Sequence, residues 1–134
     1  MPLPTPAKNI EFTILDRGDQ STLEERKNLA IQDKAEFQKV WDEVHPNDPL
    51  PDVDFAKETV LALFMGQKPT GGSSIAVEKV TDQGDTELVS ILLSQPGSDC
   101  AVTEALTTPF EFIKLPITGL KLKSEERTSV IPCS

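Results

Sequence analysis

Val60-Leu61-Ala62-Leu63-Phe64-Met65 is the stretch on which the fold turns. Six consecutive apolar residues suit a strand covered on both faces better than an exposed helix of that length. The reading is a central strand. Downstream, Ile75 and Val77 with the segment to Val80 predict the next strand, and Leu88 to Leu93 the one after. Thr81-Asp82-Gln83-Gly84-Asp85-Thr86 between them reads as a hairpin loop. Phe110 and Phe112 to Leu115, then Leu120 and Leu122 alternating with Lys121 and Lys123, predict two more strands around a turn containing Pro116 and Gly119. Upstream, Ile10, Phe12 and Ile14 alternate with Glu11 and Thr13, the period of a strand with one wet face, and Asp16 to Ser21 reads as a turn. Leu29 and Ile31 suggest a short strand.

One helix stands out. Asp33 can cap the first orphan N–H groups, and Glu36 sits three residues on. Phe37, Val40, Trp41 and Val44 then fall on a single stripe at i, i+3, i+4 and i+7, opposite Lys34, Gln38, Lys39 and Asp42, until Pro46 stops the helix. Strands that cluster around one early helix, rather than alternating with helices, place the chain in the α+β class. The expectation is a mostly antiparallel β-sheet of about six to seven strands with one amphipathic helix near 33–45.

With 134 residues, 37% hydrophobic and 26% charged, the chain is long enough for one core and too short for two ordinary domains. Residues 1–8, with Pro2, Pro4 and Pro6, read as an extended or disordered lead-in or tether, and 9–134 as the single domain. Asp and Glu outnumber Lys and Arg by 22 to 13, a net charge of −9 that repels a phosphate backbone, so nucleic acid is not an expected partner. No stretch approaches the roughly 20 apolar residues of a membrane-spanning helix. Two cysteines, Cys100 and Cys133, are too few for a structural zinc site with His45 alone to help, and too far apart for a Cys-x-x-Cys pair. A single disulfide or two free thiols remain.

Gly66-Gln67-Lys68-Pro69-Thr70-Gly71-Gly72-Ser73 has the glycine gap of a phosphate loop, but Gly72 stands where that motif needs its lysine, and a strand follows instead of a helix. It reads as a conformationally demanding connector. His45, the lone histidine, reads as a helix-end cap, because no Gly-x-Ser-x-Gly elbow surrounds Ser73 or Ser74. Asp48, Asp52, Asp54 and Glu58, and Asp82, Asp85 and Glu87, lack calcium-loop spacing and read as solvated acidic loops. Phe37 and Trp41 read as core. The residues point to no catalytic group, metal site or cofactor.

A set of motifs carries a resemblance. Leu50-Pro51-Asp52-Val53-Asp54-Phe55, Val60 to Phe64, Gly66-x-Lys68-Pro69-Thr70-Gly71-Gly72-x-x-Ile75, and Pro96-Gly97 before Cys100 with Leu106-Thr107-Thr108-Pro109-Phe110 together resemble the PrcB C-terminal domain family. The resemblance runs from about Glu36 to Leu115. One departure is Ser73, where the family usually has Tyr. The resemblance implies a non-enzymatic, exported module of the bacterial periplasm or cell surface, similar to the accessory subunit of an envelope protease complex. It also implies a Cys100–Cys133 disulfide and a start that tethers the domain behind a removed signal sequence or a lipid anchor. The expected partner is another protein, bound through Gly66, Lys68, Pro69, Thr70, Gly71, Gly72 and Ser73, since contacts gather on loops held by a rigid scaffold. A rival reading is a protease inhibitor: Lys68 to Gly72 is similar to the loop that chagasin-like inhibitors insert into cysteine-protease clefts, with Thr108-Pro109-Phe110 as a second wedge.

Overall fold

The computed structural model describes residues 8–98, 100–102 and 104–132. In chain order the elements are β1 (Lys8–Asn9), β2 (Thr13–Gly18), β3 (Lys27–Ile31), α1 (Lys34–Val44), β4 (Glu58–Phe64), β5 (Ser74–Asp82), β6 (Thr86–Pro96), β7 (Phe110–Pro116) and β8 (Lys121–Ile131). The class is α+β, as expected, but the strands form two four-stranded sheets rather than one, in the orders β1-β5-β6-β8 and β2-β7-β4-β3.

β4 explains the layering. Its odd-numbered residues Leu61 and Leu63, with Met65 beyond its end, face a core between the sheets shared with Ile75, Val77 and Ile91. Its even-numbered residues Val60, Ala62 and Phe64 face the opposite way and pack with Phe110 and Phe112 beneath Phe37, Val40 and Trp41 of α1. A strand sandwiched between a helix and a second sheet has no wet face, which is why its sequence does not alternate. The helix forms where its cap and stripe predict: the Asp33 side chain accepts from Glu36 N at 2.7 Å, and His45 closes the last turn by donating its N–H to Trp41 O at 2.7 Å.

Two expectations about strands are corrected. The single strand predicted for Ile10 to Ile14 is divided between the sheets: β1 pairs with β5, β2 pairs with β7, and Ile10 and Phe12 cross between them against the inter-sheet core. This split raises the described strands to eight, and β2 absorbs Asp16 to Gly18, where a turn was expected. A bulge between Ile14 and Asp16 shifts its register against β7. The last two strands do not form a hairpin. β8 leaves β7 for the other sheet and lies parallel to β6 through eleven paired residues, Thr86↔Lys121 to Pro96↔Ile131. Of the Pro-rich lead-in, only Lys8 falls among the described residues, where it opens β1.

A second bulge, in β5, has a dedicated partner. Val77 and Val80 both face the core although three residues apart, so one residue must be extra, and the register against β6 shifts between Val77 and Lys79. The Val77 N–H donates instead to Glu111 Oε1 at 2.8 Å. Glu111 is fully buried between the sheets, and its other oxygen accepts from Arg17 Nε at 2.7 Å and lies 2.6 Å from the same guanidinium's Nη2. One carboxylate thus joins β7, β2 and β5. On the outer face Arg127 of β8 pairs with Glu78 of β5; its hydrogen bonds hold the Glu78 carboxyl below its ordinary range, and Glu78 in turn raises the guanidinium. No helix among the described residues is long and apolar enough to cross a membrane.

Candidate functional site

The Gly66–Ser73 loop leaves the helix-covered sheet at the end of β4 and enters the other sheet at β5, so it must bridge two layers in a few residues. Two glycines make the bends. Gly66 takes φ +90°, and a Cβ there would lie 3.0 Å from Arg26 N; Gly72 takes φ +92°, with its Cβ position 3.2 Å from the Pro96 ring. L-residues rarely adopt such angles, so both positions need glycine on backbone grounds. Gly71 does not have a positive φ; it is the second glycine of the pair that turns the chain.

Hydrogen bonds hold the loop from two sides. Gln67 N–H donates to Glu24 O at 2.9 Å. Lys68 and Thr107 exchange both backbone bonds, at 2.8 and 2.9 Å, forming an isolated antiparallel bridge. The Thr107 hydroxyl then donates to Thr70 O at 2.9 Å. Between these anchors Pro69 is exposed, Lys68, Thr70, Gly71 and Ser73 are half-buried, and Gly66 is buried. The Lys68 ammonium makes no ion pair among the described residues, and Leu106, 61% exposed, lies next to Thr107 in the same cluster. All seven predicted binding residues therefore share one loop, with Pro69 at its open tip and Gly66 at its buried root.

The second wedge of the inhibitor reading is not presented to solvent. Thr108, Pro109 and Phe110 are all buried: Thr108 exchanges bonds with Ser21 at 2.6 and 2.7 Å, Pro109 O accepts from Met65 N, and Phe110 belongs to the aromatic cluster under the helix. Ser73 is followed by strand β5 and not by a helix, in line with the rejection of a phosphate loop.

His45 is the helix cap that its position predicts, with an addition. Its Nε2 meets the Asp16 carboxylate, its Nδ1 lies 3.1 Å from Asp48 Oδ2, and its ring sits 4.6 Å from that of Trp41. Through these contacts it ties α1 to β2. Two of the acidic-loop residues act locally: Asp54 caps the turn before β4 through Ala56 N at 3.1 Å, and Asp82 accepts from Gly84 N at 2.8 Å in the β5–β6 hairpin. Glu87 is a correction to the solvated reading: it is 3% exposed in β6, where it accepts from the Thr118 hydroxyl at 2.7 Å, because its strand position turns it inward. Among the described residues no cluster of His, Cys, Asp or Glu is arranged to hold a metal ion. Trp41 and Phe37 are 5% and 0% exposed, core residues and not a ligand cage.

Sequence reasoning missed Thr107, whose clamp sets the loop, and Glu111, which sets the bulge leading out of it. Glu111 carried a signal: it shares strand parity with Ile113 and Leu115, so a charge stands on an apolar face. Cys100 is described, with Sγ 3.5 Å from Ile131 O, while Cys133 lies outside the described residues. No curated protein and no solved structure matches this chain. Residues 59–116, which run from the second residue of β4 to the last of β7 and contain the whole Gly66–Ser73 loop, match the family model described as PrcB C-terminal, the family that the order of motifs resembles.

Proposed function

We propose that this chain is a non-enzymatic protein-interaction domain of the bacterial envelope, acting as an accessory or stabilising subunit of a protease complex, with the Gly66–Ser73 loop as its contact surface. The observation that carries the reading is the clamped loop: Lys68 and Thr70 are fixed by Thr107 while Pro69 stands exposed between them. A loop ordered before binding loses less entropy when it docks, so a short surface of this kind can hold a partner without a deep pocket. The family match over 59–116 supports association with a protease.

Lys68→Ala should leave the melting temperature unchanged, because the clamp uses only the Lys68 backbone, and should abolish retention of a protease subunit from an envelope extract. Thr70→Ala serves as its companion. Full retention of the same partner by both variants, identified by mass spectrometry, moves the contact elsewhere.

The extracytoplasmic setting rests on the Pro-rich start and on pairing of Cys100 with Cys133. Cys100 Sγ lies against the Ile131 carbonyl, two residues before Cys133. A bridge there persists in an oxidising compartment and is reduced in the cytosol. Intact mass after alkylation without reductant should show no alkylated thiol in protein isolated from its native cells; two per chain would show that the bridge does not form and remove this support for an exported setting.

A further inference from the structure

We propose that β8 is a self-complementary dimerisation edge, pairing antiparallel with β8 of a second copy about a two-fold axis at Glu126. β8 ends its sheet, and among the described residues nothing pairs with its outer side. It differs from the other sheet edges. β1 has two residues, β3 five, and β2 is bulged, whereas β8 runs eleven residues with an unbroken register against β6. Long, unbulged, unpaired edges of this kind are templates for another strand.

The parity of the strand fixes which groups are offered. Ile131 O turns towards Gly97, on the β6 side, accepting its N–H at 3.0 Å. Odd-numbered residues therefore bond inward to β6, and the even-numbered residues from Leu122 to Val130 turn their N–H and C=O groups outward.

Charge selects the register. Centring the pair on Glu126 puts Leu122 opposite Val130, Ser124 opposite Thr128, and Glu125 opposite Arg127. Apolar meets apolar, hydroxyl meets hydroxyl, and each Glu125 carboxylate meets an Arg127 guanidinium, which are the favourable cross-strand pairs. Sliding the pair two residues one way sets Lys123 against Arg127, and two the other way sets Arg127 against itself, so the neighbouring registers place like charges together. Glu126 meets its own copy at the axis, but each arrives with a counter-charge, since Arg26 pairs with it within the chain. Arg127 binds Glu78 through Nε and Nη2, and its Nη1 makes no hydrogen bond among the described residues. Leu122 and Val130, 36% and 56% exposed, become each other's cover. A two-fold axis makes the contact isologous, so it closes at two copies and does not propagate as a fibre.

Sedimentation velocity of the full chain, from about 10 μM to about 1 mM, should show a concentration-dependent monomer–dimer equilibrium. Arg127→Glu, which sets two pairs of carboxylates face to face, should weaken association by roughly tenfold or more. Adding Glu125→Arg to it exchanges the charges and should restore the dimer. Ser124→Pro removes an outward N–H and should abolish association in either charge background, with circular dichroism confirming the monomer fold. A wild-type chain that stays monomeric throughout, a charge exchange that does not restore association, or a dimer that survives Ser124→Pro each overturns the proposal.

Discussion

Arg17→Ala should cost about 3–5 kcal/mol of folding stability, although the Arg17 side chain is itself 49% exposed. The reason lies in its partner. Glu111 is fully buried, and removing Arg17 leaves its carboxylate between two apolar sheets with the Val77 N–H as its one remaining hydrogen-bond partner among the described residues. An uncompensated buried charge is among the costliest single changes a fold can suffer, whereas an arginine that loses its carboxylate can turn into water. The two halves of the pair are therefore unequal. Glu111→Gln keeps an oxygen for the Val77 N–H and removes the charge that needs Arg17, so its loss should be smaller, on the order of 1–2 kcal/mol. Arg17→Ala should also be milder when placed on Glu111→Gln than alone, and urea titrations of the four proteins give the cycle. An Arg17→Ala variant within about 0.5 kcal/mol of wild type would show that Glu111 does not depend on its ion pair. Because Glu111 also fixes the bulge in β5, the variant tests how the two sheets are held in register behind the Gly66–Ser73 loop.

Trp41→Ala is the second large effect. The indole is 5% exposed and wedged among rings, with centroids 6.0 Å from Phe37, 5.3 Å from Phe112 and 4.6 Å from His45. Truncating it opens a void between α1 and the sheet, and losses of about 3–5 kcal/mol accompany such changes in packed cores. For a domain of this length that corresponds to a fall in melting temperature on the order of 10 °C. The indole N–H donates to Asp48 O at 3.3 Å, so the substitution also releases the loop after the helix. Calorimetry measures the loss. The emission of Trp41 in the folded wild type should be shifted to the blue of water-exposed indole; an emission maximum like that of free tryptophan in water would contradict the burial.

Some of this molecule could be read directly from its residues. The stripe Phe37, Val40, Trp41 and Val44 behind Asp33 determined the helix, because cap chemistry and a 3.6-residue period act within a few residues of chain. The apolar run from Val60 to Met65 determined a strand buried on both faces, since no wet position interrupts it. The glycines at 66 and 72 marked a loop that must bend sharply, and the order of motifs from Leu50 to Phe110 carried the resemblance to the family whose model matches 59–116. Tertiary structure decided what covers each face of β4, that Ile10 and Phe12 cross between sheets, and that β8 leaves β7 to run parallel to β6. It also decided that Thr107, thirty-nine residues beyond Lys68 in the chain, clamps the loop. Pairing partners are chosen by backbone hydrogen bonds, which every residue carries alike, so side-chain pattern can locate a strand without naming its neighbour. Glu111 shows the same division: its place on an apolar face was visible in the sequence, but the N–H it satisfies belongs to a bulge that exists only once β5 has been laid against β6.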